Sequence, residues 1–142
     1  MKLEKLIFGR IVSAEPHVCV KDVAKLMRKH NVGSVVVAFR GKVLGIVTDR
    51  DIALWVGASN GKDPSEVHVG QIMTKFPLVA CVDNELEPTL DRMARKGVHR
   101  VPVLDRKGNV TGVLSMDNVL ALVARYTADL AQMVHALPQK AA

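Results

Sequence analysis

Aromatic residues are scarce in this 142-residue chain: one Trp, one Tyr and three Phe, 4% of the sequence. None is interleaved with the basic segments, so the stacking platforms of a nucleic-acid surface are missing. Cysteine is nearly absent. Cys19 and Cys81 belong to no CxxC or Cys/His spacing, which excludes the common structural zinc sites, and their apolar neighbours predict small buried hydrophobes. No apolar run approaches the roughly 20 residues that span a bilayer. The first ten residues, "MKLEKLIFGR", are interrupted by Glu4 and Lys5 and carry no signal-like h-region, so a cytoplasmic location off the membrane is expected. GxSxG, HExxH, P-loop and dinucleotide fingerprints are also missing. The five histidines, His17, His30, His68, His99 and His135, are scattered without a carboxylate pattern for metal. The chain is expected to be neither an enzyme nor a metalloprotein.

Aliphatic residues, by contrast, are plentiful. Hydrophobic residues make up 49% of the sequence, enough for a core in a chain of one-domain size. The net charge of +6 is concentrated in Lys25–His30 and Asp91–Arg100. There, Lys25, Arg28 and Lys29 lie opposite the apolar stripe Val23, Leu26 and Met27, as a solvated helix face would. Nucleic-acid binding through these basic helices is therefore the least favoured of the functions considered.

Most informative is an internal repeat. Met27, Val32 and Val35 recur as Met93, Val98 and Val101, an offset of 66. After one extra residue in the second hairpin, "GIVTDRD" (Gly45 to Asp51) recurs as "GVLSMDN" (Gly112 to Asn118), an offset of 67. Val20, Val23, Leu26 and Met27 give helical spacing ending near Asn31 and Gly33. In the second copy, Asp83 is the expected N-cap, Pro88 fits the first turn and Gly97 ends the helix. Two β-rich runs follow each helix around turns at Gly41 and at Gly108-Asn109, predicting hairpins. A short strand precedes each helix, in "RIVSA" and "PLVACV", and a second helix follows each hairpin, over 51–56 and from Asn118 to about Leu137. The predicted fold is α+β: two β-α-β-β-α repeats related by a pseudo-twofold axis, with their sheets packed together. The repeats are assigned to 1–62 and 63–127, with a helical extension and tail over 128–142, and 57–70 as the connection.

Over residues 5 to 125 the chain resembles a tandem CBS (cystathionine-β-synthase) domain, or Bateman module. The resemblance rests on the doubled Gly-apolar-apolar-Thr/Ser-x-x-Asp pattern, the preceding helix and "VGQIMTKFPLVACV" leading into the second copy.

Thr48-x-x-Asp51 at a helix start has the spacing of a capping box, and Ser115-x-x-Asn118 can cap in the same way. Such a corner also suits phosphate, and a carboxylate one turn in can accept from both hydroxyls of a ribose. The resemblance implies this second use for Thr48 and Asp51, on an adenine nucleotide. His99 and Arg100 stand where the first copy has Gly33 and Ser34. Similar His-Arg pairs in the energy-sensing γ subunit of AMP-activated protein kinase act on nucleotide phosphates, which implies the same here; a surface arginine and a packed ring are the alternatives. Asn118 replaces the expected acid and receives a diol only incompletely, so one good site at Thr48 and Asp51 and a weak one at Ser115 and Asn118 are expected.

The implied function is a non-catalytic sensor of AMP, ADP or ATP, with NAD(H) and S-adenosylmethionine as further adenosine candidates and no obligatory cofactor. It would signal in trans to an unidentified regulated protein. The alternative is a ligand-independent dimerisation scaffold. A homodimer is expected in both cases, because Val119, Leu122, Val123, Tyr126, Leu130, Met133, Val134 and Leu137 keep a 3–4 spacing well past the second repeat.

Overall fold

The computed structural model describes residues 1–7 and 10–137 and folds them as two sheets with four α-helices. In chain order the elements are β1 (Ser13–Ala14), α1 (Val20–His30), β2 (Ser34–Phe39), β3 (Lys42–Thr48), α2 (Asp49–Ala58), β4 (Thr74–Lys75), β5 (Ala80–Cys81), α3 (Leu86–Lys96), β6 (Arg100–Leu104), β7 (Val110–Ser115) and α4 (Met116–Ala136). One sheet runs β1-β2-β3-β4 and the other β5-β6-β7. In each, a short strand lies parallel to the first strand of an antiparallel hairpin.

Local chemistry sets the boundaries. α1 stops at Asn31, which takes the left-handed conformation (φ +51), and α3 stops at Gly97 (φ +64). The first hairpin turns on Arg40 and Gly41, both at positive φ, as a two-residue loop that continues the strand twist requires. The second turn is longer; Asp105 accepts from the backbone N–H groups of Lys107 and Asn109 (2.8 and 2.9 Å). The hairpin tips meet, with the Val110 N–H on the Gly41 carbonyl at 3.0 Å and Lys42 Nζ on the Lys107 carbonyl at 3.0 Å.

The apolar periodicity becomes two cores, one around Val23, Met27, Val35, Val37 and Val47, the other around Leu86, Met93, Val101, Val103 and Leu114. In space, segments cross between the two cores. Val69 is buried in the first core and β4 pairs with β3, while Leu3 and Leu6 are buried in the second core. The two crossovers are equivalent. Val69 donates to the Val18 carbonyl (2.8 Å) as Leu3 donates to that of Asn84 (3.0 Å), and 3₁₀ turns occupy Val69–Gln71 and Leu3–Lys5. Thus the repeat begins near residue 1, with the starting segment of each copy packed on the other.

Several expectations are corrected. Asp83 does not cap α3: Glu85 holds that position without a side-chain bond, because Arg106 takes the Asp83 carboxylate through two 2.8 Å bonds. Those bonds, with Lys2 at 3.4 Å, hold the Asp83 carboxyl well below the usual carboxylate range. Cys81 is exposed, on the opposite face of β5 from buried Ala80, and Cys19, the N-cap of α1, is only half-buried. α2 starts two residues earlier than predicted because Thr48 is its N-cap and Asp51 its third residue, and it runs on to Ala58. Residues 138–142 of the expected C-terminal segment lie outside the described residues.

Among the described residues, no helix is long and apolar enough to cross a membrane, and no cluster of three potential metal ligands occurs.

Candidate functional site

The two "Gly…Thr/Ser-x-x-Asp/Asn" corners are built alike. Each glycine marks a crossing: a Cβ at position 45 would lie 2.7 Å from the Thr74 carbonyl oxygen and against Met73 Sδ, and one at position 112 would strike Ile7. Each hairpin then runs into a helix whose first N–H is tied to the residue before the hairpin. Asp49 donates to the Gly33 carbonyl (3.1 Å) and Met116 to that of His99 (3.0 Å). These ties bring the helix N-terminus beside the start of its own hairpin.

Both corners are capping boxes, but their hydrogen bonds differ. Thr48 Oγ1 accepts from the Asp51 N–H (3.1 Å), and Asp51 Oδ2 accepts from the Thr48 N–H (2.8 Å). Asp51 Oδ1 and the Thr48 hydroxyl proton have no hydrogen-bond partner among the described residues. In the second copy Asn118 Oδ1 accepts from both the Ser115 N–H (2.9 Å) and the Ser115 hydroxyl (2.7 Å). One corner therefore presents a charged acceptor and a hydroxyl donor. The other has spent its single carbonyl and its hydroxyl proton on each other, leaving the amide NH₂ as a donor.

Two clefts lie at these corners. The larger, about 450 Å³, is lined by Thr48 and Asp51 on one side and by Lys96, His99 and Arg100 on the other. Its apolar lining comes from Ile46, Leu78 and Val98, with Phe76 and Pro77 also bordering it. A carboxylate facing three cationic or ionisable side chains across an aliphatic floor can hold a hydroxylated, flat, anionic molecule. The smaller cleft, about 270 Å³, is lined by Ser115 and Asn118 together with Arg10, Gly33, Ser34 and, again, Arg100.

The structure thus brings Thr48, Asp51, His99 and Arg100 to one cavity and puts Ser115 and Asn118 in the other. His99 is exposed, not a packed ring. Arg100 is a border residue: its guanidinium lies over Gly33, where a Cβ would come within 2.6 Å of Nη2, and reaches Asp49 at only 4.0 Å. Lys96, Phe76 and Arg10 were missed. Lys96 was readable as the last helical residue before the Gly97 stop; Arg10 and Phe76 are equivalent positions that differ in type, so the repeat hid them.

The CBS domain profile matches the chain twice, over residues 10–58 and 69–125. The protein MK0525 of Methanopyrus kandleri is 32% identical over 111 residues, covering 78% of this chain and 56% of that protein. The chain thus spans little more than half the length of that relative. Among solved structures, the CBS domain pair of protein MJ0100 in complex with 5′-methylthioadenosine and S-adenosyl-L-methionine superposes with a TM-score of 0.79 at 21% identity, covering 89% of this chain and 98% of that one. The CBS domain protein PAE2072 from Pyrobaculum aerophilum, complexed with AMP, gives a TM-score of 0.76 at 22% identity, with coverages of 83% and 89%. With the fold repeated, the crossovers matched and both copies recognised separately, the chain belongs to the CBS domain family, as a tandem pair.

Proposed function

We propose that this chain is a regulatory module that binds an adenosine-containing ligand, with AMP, ADP or ATP foremost, in the larger cleft between its repeats. The carrying observation is the meeting of the Asp51 carboxylate with Lys96, His99 and Arg100 across one cavity. In this reading Asp51 Oδ1 accepts from the ribose diol, the Thr48 hydroxyl donates to the sugar or phosphate, and the cations hold phosphate. The capping role of Asp51 does not compete, since it uses the other carboxylate oxygen. The complexes of PAE2072 with AMP and of MJ0100 with adenosine compounds support the choice of ligand class. No catalytic step is assigned. Ligand binding would act by changing the surface offered to a regulated protein.

A thermal-shift panel of AMP, ADP, ATP, NAD(H) and S-adenosylmethionine tests this. A ligand at 100 times its dissociation constant stabilises the fold by about 2.7 kcal/mol, a rise of several degrees. A melt that no adenosine compound moves would leave only the scaffold reading.

We also assign a homodimer, supported by α4. Leu122 is its only buried residue, whereas Val123, Tyr126, Leu130, Met133 and Leu137 are 45–67% exposed at alternating spacings of three and four. Leu130→Glu should convert a dimer to a monomer in light scattering; an unchanged mass would remove this seam from the account.

A further inference from the structure

We propose that the homodimer pairs head to tail, the groove between α1 and α2 of one chain receiving the α3–α4 face of the second copy. This rests on the homodimer assigned above and specifies which surfaces meet. In the first repeat the α1–α2 groove, about 360 Å³, has an apolar floor of Val20, Ala24, Ile52 and Val56 beneath the cations Lys21, Lys25 and Arg28. Val56 is 47% exposed and nearby Leu54 61%, so the chain leaves this face uncovered. The second repeat offers an apolar face at the same positions. Leu90 stands for Ala24, and Val119 and Val123 for Ile52 and Val56, with Val123 54% exposed.

The charges do not repeat. Lys21, Lys25 and Arg28 become Glu87, Asp91 and Ala94, all of them exposed. Pairs within the chain leave this contrast standing. In the first repeat Asp22 lies 3.7 Å from Lys25, and Asp63 at the rim accepts from the Ser65 N–H (2.8 Å), so the groove stays net positive. In the second, Arg95 answers Asp91 (2.7 Å), while the Met1 amine lies closer to Glu85 (2.7 Å) than to Glu87 (3.9 Å), so that face stays net negative. Apolar contact supplies the affinity and charge selects the orientation. Head to tail, the cations of one groove face Glu87 and Asp91 of the second copy, and the twofold axis repeats the contact with the roles exchanged. Head to head, Lys21, Lys25 and Arg28 would face their own copies. The head-to-tail pair also lays α4 along the partner's first repeat, where Leu54 and Val56 extend the exposed stripe of Val123, Tyr126 and Leu130.

The test reads the monomer–dimer dissociation constant by sedimentation equilibrium in four proteins. They are the wild-type chain, Lys21→Glu with Lys25→Glu, Glu87→Lys with Asp91→Lys, and all four changes together. Either double variant places like charges at both contacts of a head-to-tail pair, which should weaken the dimer at least about tenfold. The fourfold variant restores opposite charges and should dimerise within about threefold of wild type. In a head-to-head pair each double variant only exchanges one like-charged contact for another. An unchanged constant in either double variant would therefore overturn the orientation while the homodimer stands. A fourfold variant as weak as the double ones would also overturn it, since the loss would then come from damage to the helices and not from charge pairing. A wild-type chain that stays monomeric would remove the homodimer and the orientation together.

Discussion

Gly45→Val should lower the melting temperature by about 10 °C, the largest stability loss expected from any single change at the cleft. A Cβ at position 45 would stand 2.7 Å from the Thr74 carbonyl oxygen and against Met73 Sδ. The methionine tip can turn aside, but the carbonyl belongs to β4, whose pairing with β3 runs through Gly45↔Lys75 and Ile46↔Thr74. Relief therefore means moving backbone away from its partner, at about 3 kcal/mol for such overpacking. Thr74 also lines the larger cleft, so the same change should weaken ligand binding. Gly57 is the control. It lies in α2 with nothing within 4 Å of a would-be Cβ, and Gly57→Ala should stabilise by about 0.5–1 kcal/mol. Thermal denaturation of both variants decides the matter; a Gly45→Val protein melting within about 2 °C of the parent, against the overpacking estimate, would remove the crossing as the reason for this glycine.

The second large effect concerns binding. Asp51→Ala should weaken AMP at least about a hundredfold, since two hydrogen bonds to a charged acceptor are lost at about 1.5–3 kcal/mol each. Asn118→Ala should leave it within about twofold on the same scale, because Asn118 lines the other cleft. Alanine at 51 also removes half of a capping box, which costs about 1 kcal/mol of stability by itself. Asp51→Asn separates the two roles. It can keep the cap, as Asn118 does in the second copy through bonds of 2.9 and 2.7 Å, yet its one carbonyl would then be engaged by the threonine. Calorimetry should therefore find Asp51→Asn folded and nearly as defective as Asp51→Ala. AMP binding of wild-type strength in Asp51→Asn would mean that the carboxylate charge plays no part.

The doubling of the fold was legible because its carriers are constrained by backbone. Gly45 and Gly112 sit where another segment crosses, and Thr48 and Ser115 sit where a helix must be capped, so residue type follows from geometry. The starting segments were not legible. Residues 2–7 and 68–73 occupy equivalent places but share no identical residue, since a 3₁₀ turn with two apolar contacts to a core accepts Leu3 and Leu6 as readily as buried Val69 and half-buried Ile72. For the site, sequence named Thr48, Asp51, His99 and Arg100, which meet in one cavity. It could not show that Arg100 borders both clefts, because that depends on the side chain crossing over Gly33. Nor could it show that the Asn118 carbonyl is already engaged, or that Phe76 is held in a left-handed backbone.

The two corners are structurally equivalent and chemically unequal. A calorimetric titration of the wild-type protein counts the AMP molecules bound per chain and so reads this inequality. One strong site per chain is expected, at the corner where Asp51 keeps a free carboxylate oxygen. Two sites of equal strength, or no binding at all, would contradict it.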